Sequence, residues 1–270
     1  LGDGINAGTA GNIILSAATS ITDIRLNTTS HMVANALSAT AGTGILLETA
    51  VNTVTTATTS GTGSIVLQEA DGVTLTNVVA ADGFITVTAG GAILATNVVS
   101  SNSIDANDIS LTASTGDVTL GFVSAGTAAA DVAIIATVGR IIDNGNDTAT
   151  DVTGDVVTLT ASGDIGQTLN LHIDTAANSL TTSSNSAVVG GAHGTWINEV
   201  DAVTVTSATT TDGVIVITSG GTQTDTLVNA GGTNRNVLLR TTAGDIVLGL
   251  VTATGDGVRV DSAAGVTDGD

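Results

Sequence analysis

Between Asn107 and Gly166 short apolar strands begin at Ile109, Val132 and Val156, twenty-three and then twenty-four residues apart. Each is followed nine residues later by a second strand start, at Val118, Ile141 and Ile165. Each second start has a glycine two places ahead of it: Gly116, Gly139 and Gly163. A unit of strand, glycine turn and strand recurring at one period buries its apolar face only against its own neighbours, which is the signature of a solenoid.

The repeat runs through the whole chain. Thr76-Asn77-Val78-Val79 returns as Thr96-Asn97-Val98-Val99, and Leu111-Thr112-Ala113-Ser114 as Leu159-Thr160-Ala161-Ser162. The decapeptide Gly116 to Ala125 (GDVTLGFVSA) returns as Gly244 to Ala253 (GDIVLGLVTA). Placing the first strand of each unit at Ile13, Ile45, Ile65, Ile85, Ile109, Val132, Val156, Leu180, Val203, Val237 and Val258 gives eleven units. The gaps from Ile13 to Ile45 and from Val203 to Val237 read as loop insertions.

Alternation places Ile85, Val87, Ile109 and Leu111 inside and Phe84, Thr86, Thr88, Ser110 and Thr112 outside. A third short strand is expected at Val78-Val79, Val98-Val99, Phe122-Val123, Leu169-Leu171 and Leu250-Val251. Three strands in twenty to twenty-four residues, wound one way, make an all-β parallel β-helix, a β-solenoid of about eleven rungs in a single array over residues 1–270. With no Pro, Cys or Tyr, one Trp and two Phe, the core has to be built from Val, Ile, Leu and Ala. Strand-favouring Thr, Val and Ile are plentiful and the usual helix formers scarce.

The net charge of −20 disfavours nucleic acid and anionic membrane as partners. No run of eighteen apolar residues is present to span a bilayer as a helix. Opening on Leu1 without a signal sequence, the chain reads as a processed or excised segment of something larger. Arg25–Ala41 and Asp174–Asn198 are the least regular stretches, and Gly190 to Trp196 carries the lone Trp, read as a cover over an apolar edge.

Short degenerate repeats of the type G-D-[IV]-x-L-x-A, free of Cys and rich in Gly, Thr, Asp and Val, resemble the β-helical shafts of large secreted bacterial proteins. Filamentous-haemagglutinin-like exoproteins and autotransporter passenger domains share this style. The resemblance implies an extracellular, cell-surface location and a structural or adhesive role. It brings no catalytic or binding residue with it. Partners on this reading are further copies, joined end to end or side by side, and a glycan or host-cell receptor.

Enzymatic signatures are missing from the sequence: there is no G-x-S-x-G, no H-E-x-x-H and no phosphate loop, which would need a Lys. His172 with Asp174 reads as a structural pair. A β-helix enzyme acting on acidic polysaccharide needs clustered cations, whereas Arg25, Arg140, Arg235, Arg240 and Arg259 are scattered. An ice-binding face needs Thr at one place on successive rungs, and the outward series Thr86, Ser110, Ala133, Thr158 is broken. No resident cofactor is expected.

Two sets of carboxylates are the calcium candidates. Asp108, Asp131 and Asp155 each precede a first strand, and Asp143 and Asp147 flank a turn. For the first set, capping of nearby backbone N–H groups is the favoured alternative, and it predicts that stability falls below about pH 4. The register also places Asp117, Arg140 and Asp164 in one column.

Overall fold

The computed structural model describes residues 4–23, 32–145, 147–167, 171–185 and 193–269. Among them the chain forms 23 strands and no helix, coiled into a parallel β-solenoid of about eleven turns. Every ladder between strands is parallel, and a lone antiparallel bridge joins Gln167 to Leu171. Of the expected third strand at Leu169-Leu171, Leu169 and Asn170 lie outside the described residues, and Leu171 forms that bridge.

Through the middle of the chain each rung has three strands on three faces. The first face stacks Ile65–Glu69, Ile85–Ala89, Ile109–Ala113 and Val132–Ala136. The second stacks Val73–Leu75, Ile93–Ala95, Val118–Leu120 and Ile141–Asp143. The third stacks Val78–Asp82, Val98–Ser100 and Val123–Ser124. Further on, Val152–Ala161 and Ile173–Ser184 run from the third face round a corner onto the next rung's first face.

Strict alternation follows from the pleat. Ile85, Val87, Ile109 and Leu111 are fully buried, and Phe84 is 41% exposed on the outside. In-register pairing then stacks like on like: Ile45, Ile65, Ile85, Ile109 and Val132 form one column, with Leu47, Leu67, Val87, Leu111 and Ile134 two places along. The returning Thr-Asn-Val-Val tetrapeptide is one rung of this register, and Asn97 donates its side-chain N–H to Asn77 Oδ1 at 2.8 Å.

The glycines before the second strands serve close packing at one corner. Gly116 has φ 83°, and a Cβ on Gly139 would collide with the Gly116 carbonyl one rung away. Neither position tolerates another residue without the corner shifting.

Five of the eleven expected unit starts fall elsewhere. Val132 pairs with Val157, not Val156, because the Val156-Val157 doublet offers two phases and the neighbouring rungs choose the second. Leu180 pairs with Val205, two residues beyond Val203 on the same strand. Ile13, Val237 and Val258 lie on the second face, where Ile13 pairs with Leu37 and Ile215 with Val237 and then Val258. There is no insertion between Val203 and Val237. Val203, Gln223 and Ile246 continue the first face at ordinary spacing, and the intervening rung shows no apolar pattern because Gln223 and Asp225 point inward. Leu250-Val251 likewise belongs to the first face, paired with Leu227-Val228.

A stacked core makes inward positions costly to alter and outward ones cheap. Leu111→Ala is expected to lower the free energy of unfolding by about 2–5 kcal/mol. Phe84→Ala should cost about 0.5 kcal/mol or less. Urea denaturation followed by far-ultraviolet circular dichroism measures both.

Candidate functional site

The chain has three glutamates against 22 aspartates, and all three glutamates are buried. Two of them build the same device on different faces. Glu69 ends a first-face strand and turns in at the corner, where its Oε2 accepts from the Thr49 hydroxyl one rung away at 2.7 Å. Its carboxylate also accepts from the backbone N–H of Val51 (3.1 Å) and of Ala70 (3.0 Å). Glu199 repeats this on the third face, accepting from Thr175 Oγ1 at 2.7 Å, Ala177 N–H at 3.2 Å and Val200 N–H at 3.0 Å. Each glutamate thus ties the bend of one rung to the bend of the next.

These carboxyls carry raised pKa values. Burial pushes Glu69 up to about 7 against the opposing pull of the Thr49 and Val51 donors. Glu199 is pushed up to about 7 by burial, opposed by Thr175 and Ala177. Asp225, inside the core beside Gln223 Nε2 at 2.9 Å, is pushed up to about 6 by burial. Asp151 is raised to about 8, by burial first and then by the charges of Asp143 and Asp174.

The proposed calcium ligands are placed as follows. Asp108 Oδ1 accepts from the backbone N–H of Asp131 at 2.9 Å, and Asp131 Oδ1 from that of Val156 at 3.1 Å. Each caps the neighbouring rung. Asp155 is one residue out of this column, because Asp131 aligns with Val156, and it accepts from Asn178 Nδ2 at 2.8 Å. Burial, with the charges of Asp108, Asp155 and Asp105 behind it, raises the Asp131 pKa despite the Val156 bond, the opposite of the lowering that the capping reading expects. Asp143 and Asp147 fold around Gly145, taking the N–H of Gly145 and of Ala149 at 2.7 Å each. Among the described residues no three Asp, Glu or His side chains are disposed to hold a metal ion.

The other expected pairs rearrange. Asp117, Arg140 and Asp164 do share a register. Arg140 Nη2 binds Asp117 Oδ2 at 2.9 Å, while Asp164 turns to His193 Nδ1 at 3.2 Å and the Gly194 N–H at 2.9 Å. Asn198 stands between His172 and Asp174, at 2.9 Å and 3.3 Å. Trp196 is 3% exposed on strand Gly194–Glu199 and lines a groove of about 490 Å³ with Val214, Val216 and Leu238. The neighbouring residues 190–192, and Arg25 to His31, lie outside the described residues.

The buried glutamates escaped the sequence reading, although a signal exists. Glu-Ala-Asp at 69–71 and Glu-Val-Asp at 199–201 are preceded about one rung earlier by Thr-Ala, at 49–50 and 175–176. No family model matches the chain, and no curated protein or solved structure is detectably similar to it.

An acid whose pKa is raised on folding contributes stability that is fully present below its unfolded value of about 4 and is lost as pH rises through the folded value. The melting midpoint should therefore climb as pH is lowered from about 9 to 5. Glu69→Gln with Glu199→Gln should flatten that climb, and Glu69→Leu should cost about 2–5 kcal/mol by stranding the Thr49 hydroxyl and the Val51 N–H. A chelator at neutral pH should leave the midpoint unchanged, since Asp108 and Asp131 already hold backbone donors; a large drop in a thermal melt would mark a metal-dependent rod.

Proposed function

We propose that this chain is a structural and adhesive segment of a secreted bacterial surface or filament-forming protein, a stiff rod that sets distance and presents a repeated face. The observation that carries this reading is the pair of aliphatic columns that continue without a break on the first face, one from Ile45 to Val157 and one from Leu47 to Leu159. At about 4.8 Å per rung, eleven rungs span roughly 50 Å. A coil of that kind resists bending because every rung is hydrogen-bonded to the next along three faces. Its −20 charge keeps such rods apart in dilute salt and lets them approach when salt screens it.

The outer face supports this reading over its rivals. Arg140, Arg235 and Arg259 are each engaged by an aspartate, Asp117, Asp212 and Asp261, which withholds them from a uronate-binding cluster. The outward threonine columns are interrupted side by side at Ala133 and Ile135, so no regular ice-matching array runs along the first face.

Immunogold labelling of intact source cells tests the proposal. Antibody raised against the rod should decorate the surface, or fibres extending from it, without permeabilisation. Labelling seen only after lysis would overturn it.

A further inference from the structure

Along the middle of the rod the charge stands at the corners and leaves one broad face free of it. Six first-face strands stack in register, from Ile65–Glu69 to Ile173–Ser184. Each turns two residues outward between its ends, so that one outward column runs from Val66 to Thr181 and another from Gln68 to Ser183. All twelve of these residues are uncharged, in a chain of net charge −20. The second-face strands of the same rungs are three residues long and turn out one residue each, Thr74, Leu94, Thr119 and Ile142.

The two borders of this strip differ. Just before the strands comes the column Phe84, Asp108, Asp131 and Val156, and just after them the column Gly90, Ser114, Thr137 and Ser162. One border is acidic and carries an exposed ring; the other is small and uncharged.

A surface without charge offers no purchase to a cationic or an anionic partner. It is, however, where a second copy of so acidic a chain comes close at least electrostatic cost. Six rungs about 4.8 Å apart, and about 20 Å of strand between the two borders, make a strip of about 600 Å². Two such strips bury about 1,200 Å², enough for a specific interface, which needs roughly 1,000 Å². The three-residue strands of the second face make a strip about half as wide, which falls short.

Face to face, two copies close on a twofold axis lying in the interface. If that axis crosses the rods, they run antiparallel and the Asp108–Asp131 border lies over itself. If it follows the rods, above the column of Val87, Leu111, Ile134 and Leu159, they run parallel and each border lies over the other kind. Asp108 then faces the partner's Ser114, Asp131 faces the partner's Thr137, and Phe84, 41% exposed, faces the partner's Gly90. The second setting keeps the carboxylates apart and sets the ring over a residue with no side chain.

We infer that the first face is a docking surface for the first face of a second copy, with the two rods parallel. The inference rests on the rod reading above and gives its repeated face an occupant. Sheets packed in this way lie about 10 Å apart. Val66, Ala133, Ile135 and the threonine methyls cover one another, and hydroxyls bond across the seam. Pairing tightens as salt screens the corner charges.

Sedimentation equilibrium at physiological salt tests this, with circular dichroism to confirm that each variant is folded. The chain should be a dimer that dissociates on dilution, and more salt should lower its dissociation constant. Ala133→Asp puts two carboxylates into the seam and should raise that constant about a hundredfold. Thr119→Asp, the same change of charge on the second face, should raise it about threefold or less. Thr137→Arg sets a cation over the partner's Asp131 and should pair about threefold more tightly than the charge-matched Thr119→Arg. A monomer at every concentration and salt, equal weakening by the two aspartates, or Thr137→Arg no tighter than Thr119→Arg would overturn the inference. A monomeric rod that still labels the cell surface would remove this pairing alone. A dimer whose antibody labels cells only after lysis would remove the surface reading alone.

Discussion

Parallel pairing between successive rungs constrains everything else in this molecule. In a closed parallel coil a residue meets its own counterpart above and below, so the volume at each inward position has to stay nearly constant along the rod. Ala89, Ala113, Ala136 and Ala161 fill one column, and Val87, Leu111, Ile134 and Leu159 the next. A ring anywhere in such a column would need space in two neighbouring rungs as well. Hence Phe84 and Phe122 stand outside, and the composition is almost free of aromatics for a geometric reason.

The interior changes character along its length. From Ile65 to Ala161 the first face is aliphatic apart from Glu69, while from Thr175 onward Thr175, Thr182, Ser184, Thr195, Thr210, Ser219 and Gln223 all point inward and are buried. Burying hydroxyls is cheap only when each finds an acceptor. Several find one in the turn just ahead: Thr210 donates to the Gly213 carbonyl at 2.7 Å, Ser219 to Gly221 at 3.0 Å and Thr241 to Gly244 at 3.1 Å. Such bonds fasten a strand end to its own corner, whereas Glu69 and Glu199 fasten one rung to another.

The fold was legible because the apolar period survives wherever the interior is aliphatic. Ile45 to Val132 fall in one column as the spacing required. Legibility stops where the interior turns polar: a rung whose inward residues are Gln223 and Asp225 looks like a loop to any reading based on hydropathy. The capping roles of Asp108 and Asp131 could be read from turn chemistry, since a short acid ahead of a strand has backbone donors within reach. The glutamates could not, because an acid at the end of a strand gives no local hint that its side chain turns into a corner. Which carboxylate Arg140 would choose was equally hidden. Asp117 and Asp164 are equivalent by spacing, and Asp164 is taken instead by His193, 29 residues further along the chain.

The twin decapeptides sit on different faces. In the first copy, Val118 and Leu120 lie on the second face and Val123 on the third; in the second, Ile246, Leu248 and Val251 all lie on the first. Gly116 and Gly244 both keep positive φ, 83° and 76°. Sequence of this kind therefore encodes a bend followed by a strand and leaves open which side of the coil receives it. The exchangeable part of the molecule is a ten-residue bend and strand, which fills two faces in one place and one face in the other. A duplication or deletion of that length can leave a coil that still closes, and the lineage of such a rod can drift in phase while keeping its shape.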